Sequence, residues 1–259
     1  DHIAEFASIN AIYMGGLSRL ASEIQLWSSD EYNMIELDDS FAGISSMMPQ
    51  KRNPDALERS RKAANLTTGQ LMSILSSLNA IEYQHNGTRY PIDPKSIQAV
   101  LAATHAMTGV IRTMHPQKKT MLKYASENFN TMTDLADLLV RKAGMDFRSA
   151  HEVISMLVNE AVSNDLTSKE ITLDMLKAAS IKYLGNDIDL SSEQLQTALD
   201  PISSVENRSG IGMPSADSVS QMISESLVSF GVQQTWLKGK HDALDKAKDQ
   251  LDNSIELYR

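Results

Sequence analysis

The fold class is decided by the first stretch of the chain, residues 2–29, which reads HIAEFASINAIYMGGLSRLASEIQLWSS. Its apolar side chains recur at intervals of three and four residues, and this spacing puts them on one face of an α-helix. They are Ile3, Phe6, Ile9, Tyr13, Leu17, Leu20, Ile24 and Trp27. The pattern predicts a single long helix, which needs neighbouring helices to cover its apolar face.

Two more stretches of similar character predict long helices, over about residues 54–83 and 95–114. At the start of the first one, Asn53 suits the N-cap and Pro54 suits the first helical position. Asp55 adds a negative charge where the helix dipole favours it. The sequence therefore predicts that this helix begins at Pro54, with Asn53 as its cap.

After about residue 130 the predicted helices become shorter. Thr167 with Glu170, and Ser191 with Gln194, have the spacing of capping boxes. Such pairs satisfy two backbone N–H groups at the start of a helix, so they predict two further helix starts.

The helix lengths divide the chain into two predicted domains. Residues 1–129 are interpreted as part of a central helical bundle, with a loop at residues 40–55. Residues 130–259 are interpreted as a C-terminal helical domain, in which a loop at 206–213 precedes a last long helix over about 214–258. Strand-like alternation is scarce, so the predicted fold class is all-α.

Composition excludes several classes of function. Asp and Glu number 33 against 24 Lys and Arg, and no basic stripe offers a surface for nucleic acid. The longest uncharged run, between Lys62 and Glu82, is too polar to face lipid. The chain has no cysteine, and its six histidines are scattered without metal-ligand spacing. We therefore expect no metal, no cofactor, no nucleic-acid partner and no membrane partner.

The first residues bear on the setting of the protein. The sequence begins at Asp1 rather than at a methionine, and a helical pattern is already running at Ile3, so we expect it to be part of a longer polypeptide. No basic and then apolar segment opens it. Together with the absence of cysteine, this predicts a cytoplasmic protein.

The most unusual segment is residues 43–55, GISSMMPQKRNPD. It gathers hydroxyls, cations and amides at a predicted helix N-terminus, where free N–H groups and a positive partial charge attract anions. Lys51 adds a formal charge and Asn53 an amide donor, so the segment could hold a small dicarboxylate. A plain helix start beside a solvated basic loop explains the same residues, and both interpretations stay open on the residues alone.

Residues 45–55 resemble the signature loop of the fumarate-forming lyases, the fumarase/aspartase superfamily, with two serines, then Met-Pro, then Lys and Asn. Gln50 and Pro54-Asp55 make the loop most similar to that of the argininosuccinate lyases. Further segments resemble the same family: residues 26–29, 35–39, 133–142, 147–152 and 200–212. The resemblance covers nearly the whole chain. We call the whole predicted loop, residues 40–55, the signature loop.

The resemblance implies a small-molecule substrate and an elimination that breaks a C–N bond of argininosuccinate, giving fumarate and arginine in arginine biosynthesis. It implies Ser45 as the base, Lys51 as a cation on the fumarate side, and Glu58 as the partner of a histidine that this chain does not contain. Without the resemblance, Glu58 is interpreted as an acid that favours a helix start. The implied substrate-binding residues are Ser46, Met48, Gln50, Asn53, Tyr83 and Gln84.

Two departures from the family pattern keep alternatives open. Ile44 stands where the family has a glycine before the serines, and Gly43 comes one residue earlier. In the segment after the second long helix, Tyr83 corresponds to the family's tyrosine, but the glutamine and lysine that handle the arginine end lack a secure match. The alternatives are a fumarate-forming lyase that acts on another succinyl-amine adduct, and a non-catalytic scaffold of the same fold.

The long helices also predict an assembly. Their apolar faces are too extensive for the small C-terminal domain to cover, and bundles of this kind bury such faces against symmetry mates. The resemblance implies a homotetramer in which each active site is shared between subunits. Because the family's general-acid histidine would lie upstream of Asp1, we expect the chain alone to be inactive.

Overall fold

The computed structural model describes residues 1–44, 47–48, 52–79, 82–83 and 90–257, without the side chain of Ile44. These residues form two compact units, residues 1–123 and 124–259. Regular structure in the described residues is almost entirely helical, so the all-α prediction is confirmed. The assignment of the two parts to a shared bundle and a C-terminal domain stays a prediction.

The first unit is built on three long helices. They are α1 (His2–Trp27), α2 (Asp55–Ser77) and α3 (Pro94–Thr113), and α4 (Lys118–Glu127) follows them along the chain. Four two-residue strands lie between the helices. They are β1 (Ile35–Glu36), β2 (Gly43–Ile44), β3 (Arg52–Asn53) and β4 (His115–Pro116). β1 pairs with β4 and β2 pairs with β3, each pair antiparallel.

Two of the long helices match the sequence prediction closely, and the third ends early. α2 stops at Ser77, although the periodic pattern extended to Tyr83. Its last five residues include Ser73, Ser76 and Ser77, and serine hydroxyls compete with the helix for backbone hydrogen bonds. The Ser77 hydroxyl also accepts a hydrogen bond from the Tyr90 amide, at 3.0 Å, and so contacts the chain as it returns toward α3.

Small side chains let the three helices of the first unit approach each other. Met14 of α1 is fully buried against a group of mostly small residues from α2 and α3: Ala63, Ala64, Val100 and Ala103. A second cluster lies nearer the signature loop and contains Ala21, Ile24, Leu37, Ala56, Leu57, Met107 and Val110. Large apolar side chains remain exposed on the outer faces, among them Ile9, Ile12, Leu66, Met72 and Leu101.

The second unit has a continuous core of its own. Its helices are α5 (Met132–Ala143), α6 (Phe147–Ser163), α7 (Leu173–Leu184), α8 (Ser192–Leu199), α9 (Pro201–Asn207) and α10 (Ala216–Glu256), with a 3₁₀ turn at Ser168–Glu170. Leu135, Leu139, Val153, Leu157 and Leu195 are among its fully buried members. The core therefore draws on several helices of this unit, which pack on each other through their apolar stripes.

Both predicted capping boxes are confirmed, but one of them opens a much shorter helix than expected. Both capping boxes form, and the box of Ser191 and Gln194 opens α8. The box of Thr167 and Glu170 opens only a single 3₁₀ turn, and α7 starts later, capped by Thr172. The loop predicted at residues 206–213 begins too early, because α9 continues to Asn207.

α10 differs from the other helices in its exposure. It has 41 residues, all described, and only Ser218 among them is buried. Ser218 is anchored in the first turn, where its hydroxyl accepts a hydrogen bond from the Gly210 amide at 2.8 Å. Within the described ranges, no helix combines the length and the apolar content needed to cross a membrane.

Candidate active site

The base of the signature loop is closed by the strand pair β2–β3. Gly43 pairs with Asn53, and Ile44 pairs with Arg52. The chain that enters the loop at Ile44 therefore lies beside the chain that leaves it at Arg52, since paired backbones in an antiparallel ladder lie about 5 Å apart. Ser45 follows Ile44 directly and Lys51 directly precedes Arg52, so both are one residue from the last described pair.

The glycine at the first of these pairs leaves room for the side chain of Asp55. An added Cβ on Gly43 would lie 2.3 Å from Oδ2 of Asp55, in the first turn of α2. A larger residue at position 43 would therefore displace the Asp55 carboxylate from this place. This contact accounts for the glycine at position 43, one place earlier than the family pattern has it.

The segment before β2 is also held in place. The Phe41 ring lies against α3 at Gly109, where an added Cβ would meet the ring at 2.0 Å. The Phe41 amide donates to the Asp38 carbonyl at 2.9 Å. Hydrogen bonds from the Ser40 side chain and backbone hold the pKa of the Asp38 carboxyl below its usual value.

Arg52 makes the most extensive polar contacts described in the loop. Its Nη1 lies 2.8 Å from Oε1 of Glu36, and its Nη2 lies 2.9 Å from Oδ1 of Asp39. Oε2 of Glu36 accepts a longer hydrogen bond, 3.3 Å, from Nε2 of Gln117. These contacts join the closing strand of the loop to the acidic segment before it.

Sequence reasoning missed this role of Arg52. One signal was available, because the acidic run at residues 36–39, just before the loop, and the basic pair at 51–52, near its end, carry opposite charges. Periodicity and motif spacing do not pair such residues, whereas the fold brings them together.

Five of the nine proposed site residues lie outside the described residues, namely Ser45, Ser46, Gln50, Lys51 and Gln84. The other four can be placed. Met48 is exposed, Asn53 is half-buried in β3, Glu58 is exposed in the first turn of α2, and Tyr83 is exposed beyond the end of α2. Their roles in binding and catalysis stay predictions.

Asn53 is not the N-cap that the sequence predicted. The cap position belongs to Pro54, and the cap makes no side-chain hydrogen bond. Asn53 instead belongs to β3, because its pairing with Gly43 closes the loop. The half-buried amide side chain is therefore not used in helix capping.

Tyr83 lies toward the opposite end of α2 from the signature loop. The helix has 23 residues, and at about 1.5 Å per residue it spans about 33 Å between its end residues. From the end of the helix at Ser77, the chain to Tyr83 can cover at most about 21 Å back toward Asp55, even when it is fully extended. The Cα atoms of Tyr83 and Asp55 are therefore at least about 12 Å apart in one chain.

A cleft of about 580 Å³ opens beside the loop in the first unit. Alanines of α3 form one wall: Ala99, Ala102, Ala103 and Ala106. Asp55, Arg59 and Lys62 of α2 supply its charges. Met48, Asn53, Glu58 and Tyr83 do not line it, so this cleft does not unite the described site residues. In the part of the chain that is described, no group of three or more acidic or histidine side chains is arranged to hold a metal ion.

Two family sequence models match this chain. One, described as argininosuccinate lyase C-terminal, matches residues 129–206, and the other, described as lyase, matches residues 1–72. Among curated proteins, the argininosuccinate lyase of Methanosarcina acetivorans is 32% identical over 99% of this chain and 50% of its own length. That of Methanococcoides burtonii is 37% identical over 87% of this chain and 46% of its own length. The chain thus spans about half the length of these relatives.

Solved structures give a second set of similar proteins. An EDDS lyase variant with bound fumarate is 50% identical, with a TM-score of 0.95, over 99% of this chain and 52% of that chain. The EDDS lyase structure in complex with formate has the same identity and a TM-score of 0.94, over 98% of this chain and 51% of that one. The 3-carboxy-cis,cis-muconate lactonizing enzyme of Pseudomonas putida shares the fold at 20% identity and a TM-score of 0.57, over 78% of this chain and 44% of its own.

Proposed function

This chain belongs to the lyase family that includes the argininosuccinate lyases, and on that premise we propose that the complete protein breaks a C–N bond and releases fumarate. The observation that carries the proposal is the strand pair at the base of the signature loop. It pairs Ile44 with Arg52, and in the sequence the proposed base Ser45 follows Ile44 while the proposed cation Lys51 precedes Arg52.

The proposed elimination needs three groups. Oγ of Ser45 takes the proton from the carbon beside a carboxylate of the substrate. The electron pair left on that carbon spreads into the carboxylate, which then gains charge, and Lys51 and the amide of Asn53 stabilise it there. The pair then forms the double bond of fumarate as the C–N bond breaks, and a second group, from outside this chain, protonates the departing nitrogen.

The serine needs a particular setting to act as a base. An alkoxide is unfavourable in water, so the loop must exclude solvent and aim N–H donors at the oxygen. Asp55, which lies against Gly43, and Phe41, which lies against α3, keep the first strand of the loop in place. We propose that the loop, held in this way at its base, closes over a bound substrate.

Our proposal for the amine half of the substrate is based on how similar this chain is to each group of relatives. The two EDDS lyase structures are 50% identical to this chain, whereas the argininosuccinate lyases quoted above are 32% and 37% identical. The segment after α2, beginning at Tyr83, also departs from the argininosuccinate lyase pattern at the positions that handle arginine. We therefore propose EDDS, or a related succinyl-amine adduct, as the first candidate substrate, and argininosuccinate as the second.

Fumarate release tests the proposed reaction directly. The complete protein is mixed with EDDS, argininosuccinate, adenylosuccinate or aspartate, and fumarate is followed by its ultraviolet absorbance. We expect the fastest release from EDDS. Faster release from argininosuccinate would reverse the order of the two candidates, and no release from any of the four would favour the non-catalytic scaffold.

Replacement of the proposed base tests the mechanism. In the complete protein, Ser45→Ala should lower kcat about a thousandfold and leave KM nearly unchanged, because loss of a general base typically costs about 10²–10⁴ and acts in the transition state. Ser46→Ala is the matched control, with the same change one residue later. If Ser45→Ala costs tenfold or less and Ser46→Ala costs more, the base is Ser46.

We also propose a homotetramer with shared active sites. The support for this proposal is the resemblance to the family together with the large apolar side chains that the long helices leave exposed, such as Ile12 and Leu101, since bundles of this kind bury such faces against symmetry mates. Mixed and reassembled Ser45→Ala and Tyr83→Ala proteins should then regain part of the activity that each has lost. A fully active monomer would contradict this proposal. We also propose that the isolated 259-residue chain shows no turnover, because the resemblance implies a second proton-transferring group that this chain does not contain.

A further inference from the structure

We propose that Arg52 is a positioning residue of the signature loop, and that its bridge to Glu36 and Asp39 sets the register of β3 and so the placement of Asn53. Its consequence for catalysis rests on the function proposed above. Its consequence for the order of the loop does not.

The geometry of the bridge makes it specific for arginine. Nη1 contacts Glu36 at 2.8 Å and Nη2 contacts Asp39 at 2.9 Å, so one planar guanidinium binds two carboxylates through two different nitrogens. A rigid fork with two occupied ends has little freedom to rotate. A lysine at this position keeps the charge but presents a single nitrogen, which cannot reproduce the fork.

Glu36, one of the two partners of Arg52, is itself held by a neighbouring strand pair. Glu36 lies in β1, opposite His115 of β4, and its second carboxylate oxygen accepts from the side chain of Gln117. The Gln117 backbone amide in turn donates to the Met34 carbonyl at 2.8 Å. The bridge therefore joins β3 to the connection between α3 and α4, rather than to another part of the loop.

The two strands at the loop base are held by different means. The chain leading into β2 is held by packing, since the Phe41 ring lies against Gly109 and the Asp55 carboxylate lies against Gly43. β3 begins with Arg52, whose side chain supplies the polar anchor. Loss of the anchor should free the closing strand and leave the opening strand in place.

The size of the effect follows from the exposure of the bridge. About half of each of the Arg52 and Glu36 side chains is exposed, and ion pairs in such settings contribute little individually. We therefore expect Arg52→Gln to lower kcat of the complete protein about fivefold, far less than loss of a catalytic group. KM should stay within about twofold, because a loop that completes the site on closure contributes mainly in the transition state.

The experiment combines kinetics with amide hydrogen exchange on the complete protein. Arg52→Gln should raise the exchange rates of the β3 amides more than those of the β2 amides and should also lower kcat, and Arg52→Lys should recover less than half of each loss. The matched control is Arg208→Lys, which alters another exposed pair, Arg208 with Asp134 at 2.9 Å. It should leave both kcat and the β2–β3 exchange rates unchanged.

A mutant cycle separates positioning from a general loss of stability. In a Glu36→Gln/Asp39→Asn background, Arg52→Gln should cause no further change in kcat or exchange, because its partners are already absent. Additive losses, full recovery by Arg52→Lys, or exchange rates equal to those of the Arg208→Lys control would each overturn the positioning role. If the wild-type protein releases no fumarate, the proposed function fails, and the exchange measurements alone decide whether Arg52 orders the loop.

Discussion

The second unit contains two helical regions, one that buries its apolar side chains and one that leaves them exposed. Between residues 132 and 199, short helices bury a continuous cluster that includes Leu135, Leu139 and Leu157. In α10, every residue except Ser218 is at least partly exposed, although the helix is 41 residues long. The first region is stabilised by its own core, whereas the α10 helix has few tertiary contacts within this unit.

The apolar residues of α10 are nevertheless regularly spaced. Every seventh position carries a large exposed apolar side chain: Ile223, Phe230, Leu237, Leu244 and Leu251. Seven residues make about two helical turns, so these side chains share one face. An apolar stripe therefore specifies a helix in both regions, while the burial of that stripe depends on what lies opposite it. In the proposed homotetramer, this stripe is a surface that other chains would cover.

A core substitution should show the largest contrast between the two regions. Leu139 is 0% exposed and Leu244 is 68% exposed. Leu139→Ala should lower the free energy of unfolding of this chain by about 2–5 kcal/mol, because it leaves a cavity. Leu244→Ala, the matched control, should change it by less than about 0.5 kcal/mol in the unassembled chain. Denaturant unfolding measures both, and equal losses would show that α10 is packed as tightly as the core.

A capping substitution should have a smaller effect. The Ser191 hydroxyl accepts from the Gln194 amide at 3.1 Å, and the Ser191 amide donates to the Gln194 side chain at 2.9 Å. Ser191→Ala should cost about 1 kcal/mol, since it leaves the N–H group without its partner. The control is Ser254→Ala on α10, whose hydroxyl only donates to the Gln250 carbonyl of its own helix. Its thermal unfolding should match the wild type, and a larger loss there than at Ser191 would refute the comparison.

The smallest effect should appear in the pH dependence of stability. Hydrogen bonds from the Ser203 side chain and backbone hold the pKa of Asp200 below its usual value. A carboxyl with a lowered folded-state pKa stabilises the fold above its unfolded pKa of about 3.9, and this stabilisation is lost as the pH falls through the folded pKa. Asp200→Asn should therefore flatten the decline in stability below about pH 4.

The control for this titration lies on α10. Asp249→Asn makes the same chemical change on an exposed helix face. Unfolding free energies measured over the acid range should show a smaller change of slope for Asp249→Asn than for Asp200→Asn. A slope unaffected by Asp200→Asn would mean that its hydrogen bonds to Ser203 do not favour the charged form in solution.

Local patterns determined much of this protein from the sequence alone. The periodic apolar positions located α1 and α3 to within about two residues, because helix periodicity depends on neighbours three and four residues away. The capping box at Ser191 and Gln194 also formed as predicted, since its hydrogen bonds join residues three apart. The motif at residues 45–55 led to the lyase family, although the roles of its residues stay predictions.

Tertiary structure alone decided what happens between distant residues. Asn53 carries an ordinary capping signal, yet it pairs with Gly43 because the chain turns back at the loop base. Glycine inside a helix is normally destabilising, but at Gly109 in α3 the Phe41 ring occupies the space that a side chain would need. Arg52 finds Glu36 and Asp39, 16 and 13 positions earlier in the chain, only once the helices hold both segments in place. Local propensity carries no information on such contacts, because each depends on packing that the whole unit supplies.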